Sequence, residues 1–150
     1  MALKLPPALI FLLFTGLMYL LCIYLPFGYF DFLGRFVLVK ILIIAAIFIA
    51  LIAMFQFYRS KTTIDPREPS KAKLLVTNGV YNYSRNPMYL ALLLLLLAWG
   101  LWLGNAFNVL LAAAFVAFMN RFQIGPEEAA LRDLFGKEYD QYIIRVRRWF

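Results

Sequence analysis

The fold class this sequence predicts is an all-α integral membrane protein with about four transmembrane helices, a C-terminal helical hairpin and cytosolic amphipathic helices. Three observations predict it. Of the 150 residues, 64% are hydrophobic, against roughly 45–50% for a soluble domain, and the mean hydropathy is +0.77. The apolar residues collect in four long runs, and the basic residues crowd between and after those runs rather than among them.

The first run covers residues 8–25 and follows Met-Ala-Leu-Lys-Leu-Pro-Pro. One early positive charge before an apolar stretch is signal-like. No small-x-small cleavage site follows, and the run is long enough to span, so it is read as an uncleaved first helix. Cys22 lies within it, where a small buried hydrophobe is expected. After Pro26-Phe-Gly-Tyr the second run covers residues 36–58, with Lys40 about one turn inside and able to reach the interface by snorkelling. The third and fourth runs, 87–103 and 107–122, are shorter. They are joined by Gly104-Asn105, a tight turn that makes them a hairpin. Each run approaches the ~20 residues that a helix needs to cross ~30 Å of hydrocarbon.

A polar segment, 59–86, separates the second run from the third, and a polar tail, 123–150, follows the fourth. In the tail, Gly125-Pro126-Glu127-Glu128 has the grammar of a helix start, with proline in the first turn and acids at the positive end of the helix dipole. Leu131, Leu134 and Phe135 mark an apolar face and Gly136 a stop. A second short helix then carries Tyr139, Tyr142, Ile143 and Val146, flanked by Arg145, Arg147 and Arg148. It is predicted to lie on the membrane surface. One domain, 1–150, accounts for the whole pattern.

The charges set an orientation. Arg59, Lys61, Arg67, Lys71, Lys73 and Arg85 outnumber Asp65 and Glu68 in the polar segment. Arg121, Arg132, Lys137, Arg145, Arg147 and Arg148 follow the fourth run, while the Gly104 turn is uncharged and 26–35 holds only Asp31 and Arg35. The positive-inside rule then places both termini and the central loop in the cytoplasm, of the inner membrane if the cell is bacterial. The net charge of +7 is read as topology and anionic-lipid contact rather than nucleic-acid binding.

With no histidine and a single cysteine, an internal disulfide and a His/Cys zinc site are excluded, and no metal is expected. No Gly-x-Gly-x-x-Gly sits on a strand-to-helix turn, which excludes a Rossmann-type cofactor domain. Chemistry falls to Arg, Lys, Asp, Glu, Tyr, Asn and a bound organic cofactor. Asn86-Pro87 reads as a helix cap followed by a first-turn proline, and Arg85 as an interfacial anchor. The gathering of Tyr81, Tyr83, Arg85, Asn86 and Tyr89 in one short stretch exceeds what capping needs, although aromatic belts account for part of it.

The run Asn78-Gly-Val-Tyr-Asn-Tyr-Ser-Arg-Asn-Pro-Met-Tyr-Leu90 resembles the Gly-x-Tyr…Arg-His-Pro-x-Tyr motif of the isoprenylcysteine carboxyl methyltransferase and phospholipid methyltransferase superfamily. The tail from Glu127-Glu128 through Phe135-Gly136 to Tyr142, ending in Val146-Arg-Arg-Trp149, is similar to that family's Glu-Glu-x-x-Leu…Phe-Gly-x-x-Tyr-x-x-Tyr element. The resemblance runs from Leu74 to Trp149. It implies a membrane methyltransferase using S-adenosylmethionine in a cytosol-facing pocket built from the last spans and the C-terminal helices. The methyl acceptor would be lipidic or hydrophobic, isoprenylcysteine-like or phospholipid-like, reached from the surrounding membrane lipids. On this reading Glu127 and Glu128 hold the cofactor's ammonium or ribose, and Arg85 or Arg121 its carboxylate. Tyr81 and Tyr89 pack on adenine or face the sulfonium. Asn86 and Pro87 belong to the same cofactor-binding set, and Arg121 with Glu127 forms the catalytic pair, Arg121 orienting an acceptor carboxylate or phosphate. Asn86 departs from the usual histidine. It supplies comparable hydrogen bonds but cannot act as a base near neutral pH. Two other readings stand beside this one: an NADPH-dependent membrane reductase of the sterol reductase type, and a non-catalytic membrane scaffold.

Overall fold

The computed structural model describes residues 6–59 and 74–150. The charges Lys61, Asp65, Arg67, Glu68, Lys71 and Lys73 lie outside the described residues. Among the described residues six α-helices follow in order: α1 (Pro7–Tyr24), α2 (Arg35–Arg59), α3 (Pro87–Leu103), α4 (Asn108–Met119), α5 (Gly125–Phe135) and α6 (Lys137–Arg145). A 3-10 turn, Gly79–Asn82, precedes α3, and a π turn, Asn120–Ile124, joins α4 to α5. No strand forms among the described residues, so the chain is all-α.

Three helical stretches are long and apolar enough to cross a membrane: Pro7–Tyr24, Arg35–Arg59 and the unbroken Asn108–Phe135. α3, at 17 residues, is shorter and reaches about 25 Å. The expected spans fall within three residues of α1 to α4 at either end. The expected fresh start at Gly125-Pro126 does not occur. Instead the helix runs on through the π turn into α5, with the Gly125 N–H donating to the Asn120 carbonyl. Proline is compatible with continuation here because the hydrogen-bond register changes beside it. The Gly136 stop and the α6 start are as expected, with Gly136 at φ +52°.

The core lies along α1, α3 and α4. Met18, Leu96, Phe115 and Met119 are completely enclosed, and Phe14 meets Phe115 edge-to-face at 5.4 Å. α3 packs most extensively on α2. The buried residues of that pair include Ala46, Ala53, Ala91 and Ala98, small side chains that let helix backbones approach without help from a hydrophobic effect. The opposite faces of α1 and α2 expose Leu12, Leu13, Ile44, Phe48, Leu51 and Phe55. An apolar surface of that extent belongs against lipid.

The end of the bundle away from α5 and α6 is closed by backbone pairing. Phe30 N–H donates to the Gly104 carbonyl at 2.9 Å and Ala106 N–H to Gly28 at 2.8 Å, while Asn105 Nδ2 reaches the Leu25 carbonyl at 2.8 Å. Arg35 is buried in this corner. Its Nη1 donates to the Phe30 carbonyl at 2.8 Å, and its guanidinium sits 4.7 Å from the Phe36 ring centre. Gly104 makes room for it. Its φ is +69°, and an added Cβ would fall 2.5 Å from Arg35 Nη1. Gly104→Ala is therefore expected to destabilise the protein by about 1–3 kcal/mol, read as a lowered Tm in detergent micelles. An unchanged Tm would mean that the corner tolerates a side chain.

Candidate functional site

At the other end the polar turn before α3 and the C-terminal tail meet. The turn is tied to the tail through backbone atoms. Arg85 N–H donates to the Arg147 carbonyl at 3.0 Å, and Asn86 Nδ2 donates to the Arg148 carbonyl at 3.0 Å. Ser84 Oγ, buried beside them, accepts from Asn86 N–H at 3.2 Å. A third tie lies deeper. Tyr142 donates its hydroxyl to the Tyr81 carbonyl at 2.7 Å, beneath the cluster of Tyr139, Tyr142 and Val146. Asn86 thus acts through its amide N–H as a strap, a donor role that a histidine would also fill. Pro87 behind it is fully buried at the first position of α3.

The two neighbouring glutamates turn to different partners. Glu128 takes a two-pronged contact from Arg148, Nε to Oε1 at 3.0 Å and Nη2 to Oε2. It also stands 3.3 Å from Arg85 Nη1. Arg85 is nearly enclosed, with a tenth of its side chain exposed, yet its Nε and Nη1 have no aligned acceptor. The contact with Glu128 is an ion pair without hydrogen-bond geometry. A buried guanidinium holding two undirected N–H groups is costly, and the Glu128 carboxylate beside it offsets the charge but not the missing hydrogen bonds. The hydrogen bonds that Arg148 donates to Glu128 raise its guanidinium pKa above the ordinary value. Burial, then the Glu128 charge, push the Tyr139 phenol up to about 12 against the opposing pull of Arg85. Tyr139 therefore stays neutral.

Glu127 lies one residue away in a different setting. One oxygen, Oε1, accepts both the Tyr89 hydroxyl at 2.6 Å and Gln123 Nε2 at 2.5 Å. The other, Oε2, takes no hydrogen bond among the described residues. A carboxylate pinned by one oxygen and open at the other is a fixed acceptor for a cation or a hydroxyl.

Of the residues expected from sequence, Arg85, Asn86, Pro87, Tyr89, Glu127 and Glu128 come together here. Tyr81 joins them in a different capacity. Its ring is buried edge-on against Phe57 at 5.2 Å, so it packs α2 to the turn and is not free to stack on a ligand. Arg121 does not join. It is exposed, and its one interaction among the described residues is with the Phe122 ring at 5.7 Å. Gln123, four residues before Glu127, shares its face of the helix, and Asn120 meets the tail, whereas Arg121 points elsewhere.

Asn120 and Gln123 belong to no motif in the sequence, and Arg148 stands there only as a flanking charge of the tail helix. Asn120 Oδ1 accepts from Trp149 Nε1 at 3.0 Å and lies 3.5 Å from Arg148 Nη1. The signal available was modest: two amides interrupting an apolar run, one of them four residues before Glu127. A cavity of about 450 Å³ lies elsewhere, lined by Leu42, Leu96, Leu101, Ala106 and Val109 among others. It holds no titratable group, so no acid–base or ion-pair chemistry belongs to it.

The model of the phospholipid methyltransferase family matches residues 34–138. An uncharacterized protein of Haemophilus influenzae is 53% identical over 62 residues, 41% of this chain and 98% of that protein. The protein-S-isoprenylcysteine O-methyltransferase of Schizosaccharomyces pombe is 36% identical over 94 residues, 63% of this chain. That match spans only 40% of the yeast enzyme's length. No solved structure matches significantly. The family match runs from the start of α2 through the Arg85–Asn86 turn and both glutamates, and the chain belongs to the phospholipid methyltransferase family of membrane proteins.

Proposed function

We propose that this protein is an S-adenosylmethionine-dependent methyltransferase whose acceptor is a lipidic or hydrophobic molecule, an isoprenylcysteine carboxylate or a phospholipid amine in kind. The observation that carries the reading is the pairing of opposite unmet demands at one place. Arg85 is a buried cation with two N–H groups lacking aligned acceptors, and Glu127 is a carboxylate fixed through one oxygen and open at the other. The amino-acid end of S-adenosylmethionine carries a carboxylate and an ammonium, which answer those demands in turn. Residues that fit the group are therefore present: Arg85 for the carboxylate and Glu127, braced by the Tyr89 hydroxyl, for the ammonium or ribose hydroxyls. Glu128 and Arg148 hold Arg85 and the tail in place.

When bound, S-adenosylmethionine supplies an electrophilic methyl on a sulfonium. The chain's share is orientation and exclusion of water, which for an in-line displacement account for much of the attainable rate. The site lies at the polar end of an apolar bundle, where a water-soluble donor and a membrane-held acceptor can meet. Arg59, Arg85, Arg132, Lys137, Arg145, Arg147 and Arg148 gather at this end, and the Gly104 turn at the other is uncharged. By the positive-inside rule that end, with both termini, faces the cytoplasm.

Two experiments test the reading. Purified protein is expected to bind S-adenosylhomocysteine in a calorimetric titration and to ignore NADPH. Glu127→Gln and Arg85→Met are each expected to weaken binding about tenfold or more, by loss of one charge-assisted hydrogen bond. Native membranes supplied with the tritiated-methyl donor are expected to yield a labelled, solvent-extractable lipid. No saturable binding and no label would end the proposal. The turn itself is tested by Asn86. Asn86→His keeps an N–H for the Arg148 carbonyl and is expected to retain binding. Asn86→Asp sets a carboxylate against that carbonyl and is expected to free the tail at a cost of about 1–3 kcal/mol, seen as a red-shifted Trp149 contribution to fluorescence and faster proteolysis of the last residues. Equal behaviour of the two variants would show that the strap is immaterial.

A further inference from the structure

Gln123 is three-hundredths exposed, stands in the π turn, and donates its amide N–H to the same Glu127 oxygen that Tyr89 holds. Its own carbonyl, Oε1, is buried with no partner. π turns inside α-helices are rare and recur at functional sites, and this one has a visible effect on geometry. Gly125 spares the turn a tight contact, since a Cβ there would lie 3.1 Å from the Asn120 carbonyl oxygen. With the extra residue, Asn120 faces the tail, where it accepts from Trp149 and approaches Arg148. Gln123 faces Glu127. A packing residue in this place would be apolar and would leave no orphaned carbonyl. Gln123 instead gives up one buried acceptor in order to aim a donor at a carboxylate.

We infer that Gln123 is a positioning residue for ligand binding: with Tyr89 it fixes Oε1 of Glu127 and so presents Oε2 to a cationic or hydroxyl-bearing group of the cofactor. The inference rests on the function proposed above and adds a residue outside the Glu-Glu pair. The geometry separates two roles around one carboxylate. Gln123 and Tyr89 hold the glutamate without meeting the ligand, and Glu127 meets it. Both donors converge on one oxygen, so removing either one leaves a single hydrogen bond to fix the carboxylate's rotation, and each removal alone lowers affinity.

The test is a double-mutant cycle read by S-adenosylhomocysteine binding. Gln123→Met keeps length and volume but has no donor. It is expected to bind about tenfold more weakly than the parent, with Tm unchanged, and Tyr89→Phe is expected to do the same. In a Glu127→Gln background, titrated at ligand concentrations high enough to saturate it, Gln123→Met is expected to add nothing, because the group it orients no longer carries the charge. Parental affinity in Gln123→Met overturns the inference. So does an equal loss with and without Glu127, or a fall in Tm large enough to account for the lost binding, either of which marks Gln123 as a packing residue. A parent protein that fails to bind S-adenosylhomocysteine contradicts the proposed function instead, so the two failures are told apart by the first titration.

Discussion

Glu128 is the charge on which the polar end depends. It stands between Arg85 at the start of α3 and Arg148 in the tail, joining two segments that are sixty residues apart in sequence. An ion pair this enclosed is a poor source of net stability, because desolvation offsets most of the attraction. Its value lies in what its absence would do. Without Glu128, two guanidiniums would face each other across a half-dry site. The backbone ties from Arg85 and Asn86 to Arg147 and Arg148 would then have to oppose that repulsion alone. The carboxylate makes the meeting of turn and tail electrostatically permissible, and the site exists only where they meet.

The bilayer-facing part of the fold was legible in the sequence for a simple reason. A helix in hydrocarbon must satisfy its own backbone and offer apolar side chains, so length and hydropathy suffice to find it. The boundaries of α1 to α4 follow from composition, Pro87 and the Gly104 turn. Continuity through Gly125-Pro126 was not legible. Proline near Glu-Glu is a helix-start signal in isolation, and nothing local announces a π turn that carries the helix through it. The position of Arg121, exposed and against the Phe122 ring, was likewise not legible. Gln123, four residues before Glu127, lies on that residue's face of the helix, while Asn120 meets the tail and Arg121 meets neither.

The two motifs that drew attention in the sequence do converge, but their residues divide the labour in a way that spacing does not reveal. Tyr81 and Tyr89 are both buried tyrosines in one short stretch. Tyr81 presents its backbone carbonyl to Tyr142 and its ring to Phe57, while Tyr89 presents its hydroxyl to Glu127. Likewise Glu127 and Glu128 are chemically identical neighbours. One is consumed by two arginines, and the other keeps an oxygen open. Asn86 shows why a departure from a familiar motif need not remove its purpose. The position holds a carbonyl of the tail through an N–H, which asparagine and histidine both own.

The central claim is that the Asn78–Leu90 turn and the C-terminal tail enclose one nucleotide together. Ultraviolet cross-linking of radiolabelled S-adenosylmethionine to the protein in nanodiscs, followed by peptide mapping, tests this directly. The account predicts label on peptides from both 74–90 and 120–149, competed away by excess S-adenosylhomocysteine. Competable label confined to α1 and α2, or no competable label at all, would contradict it.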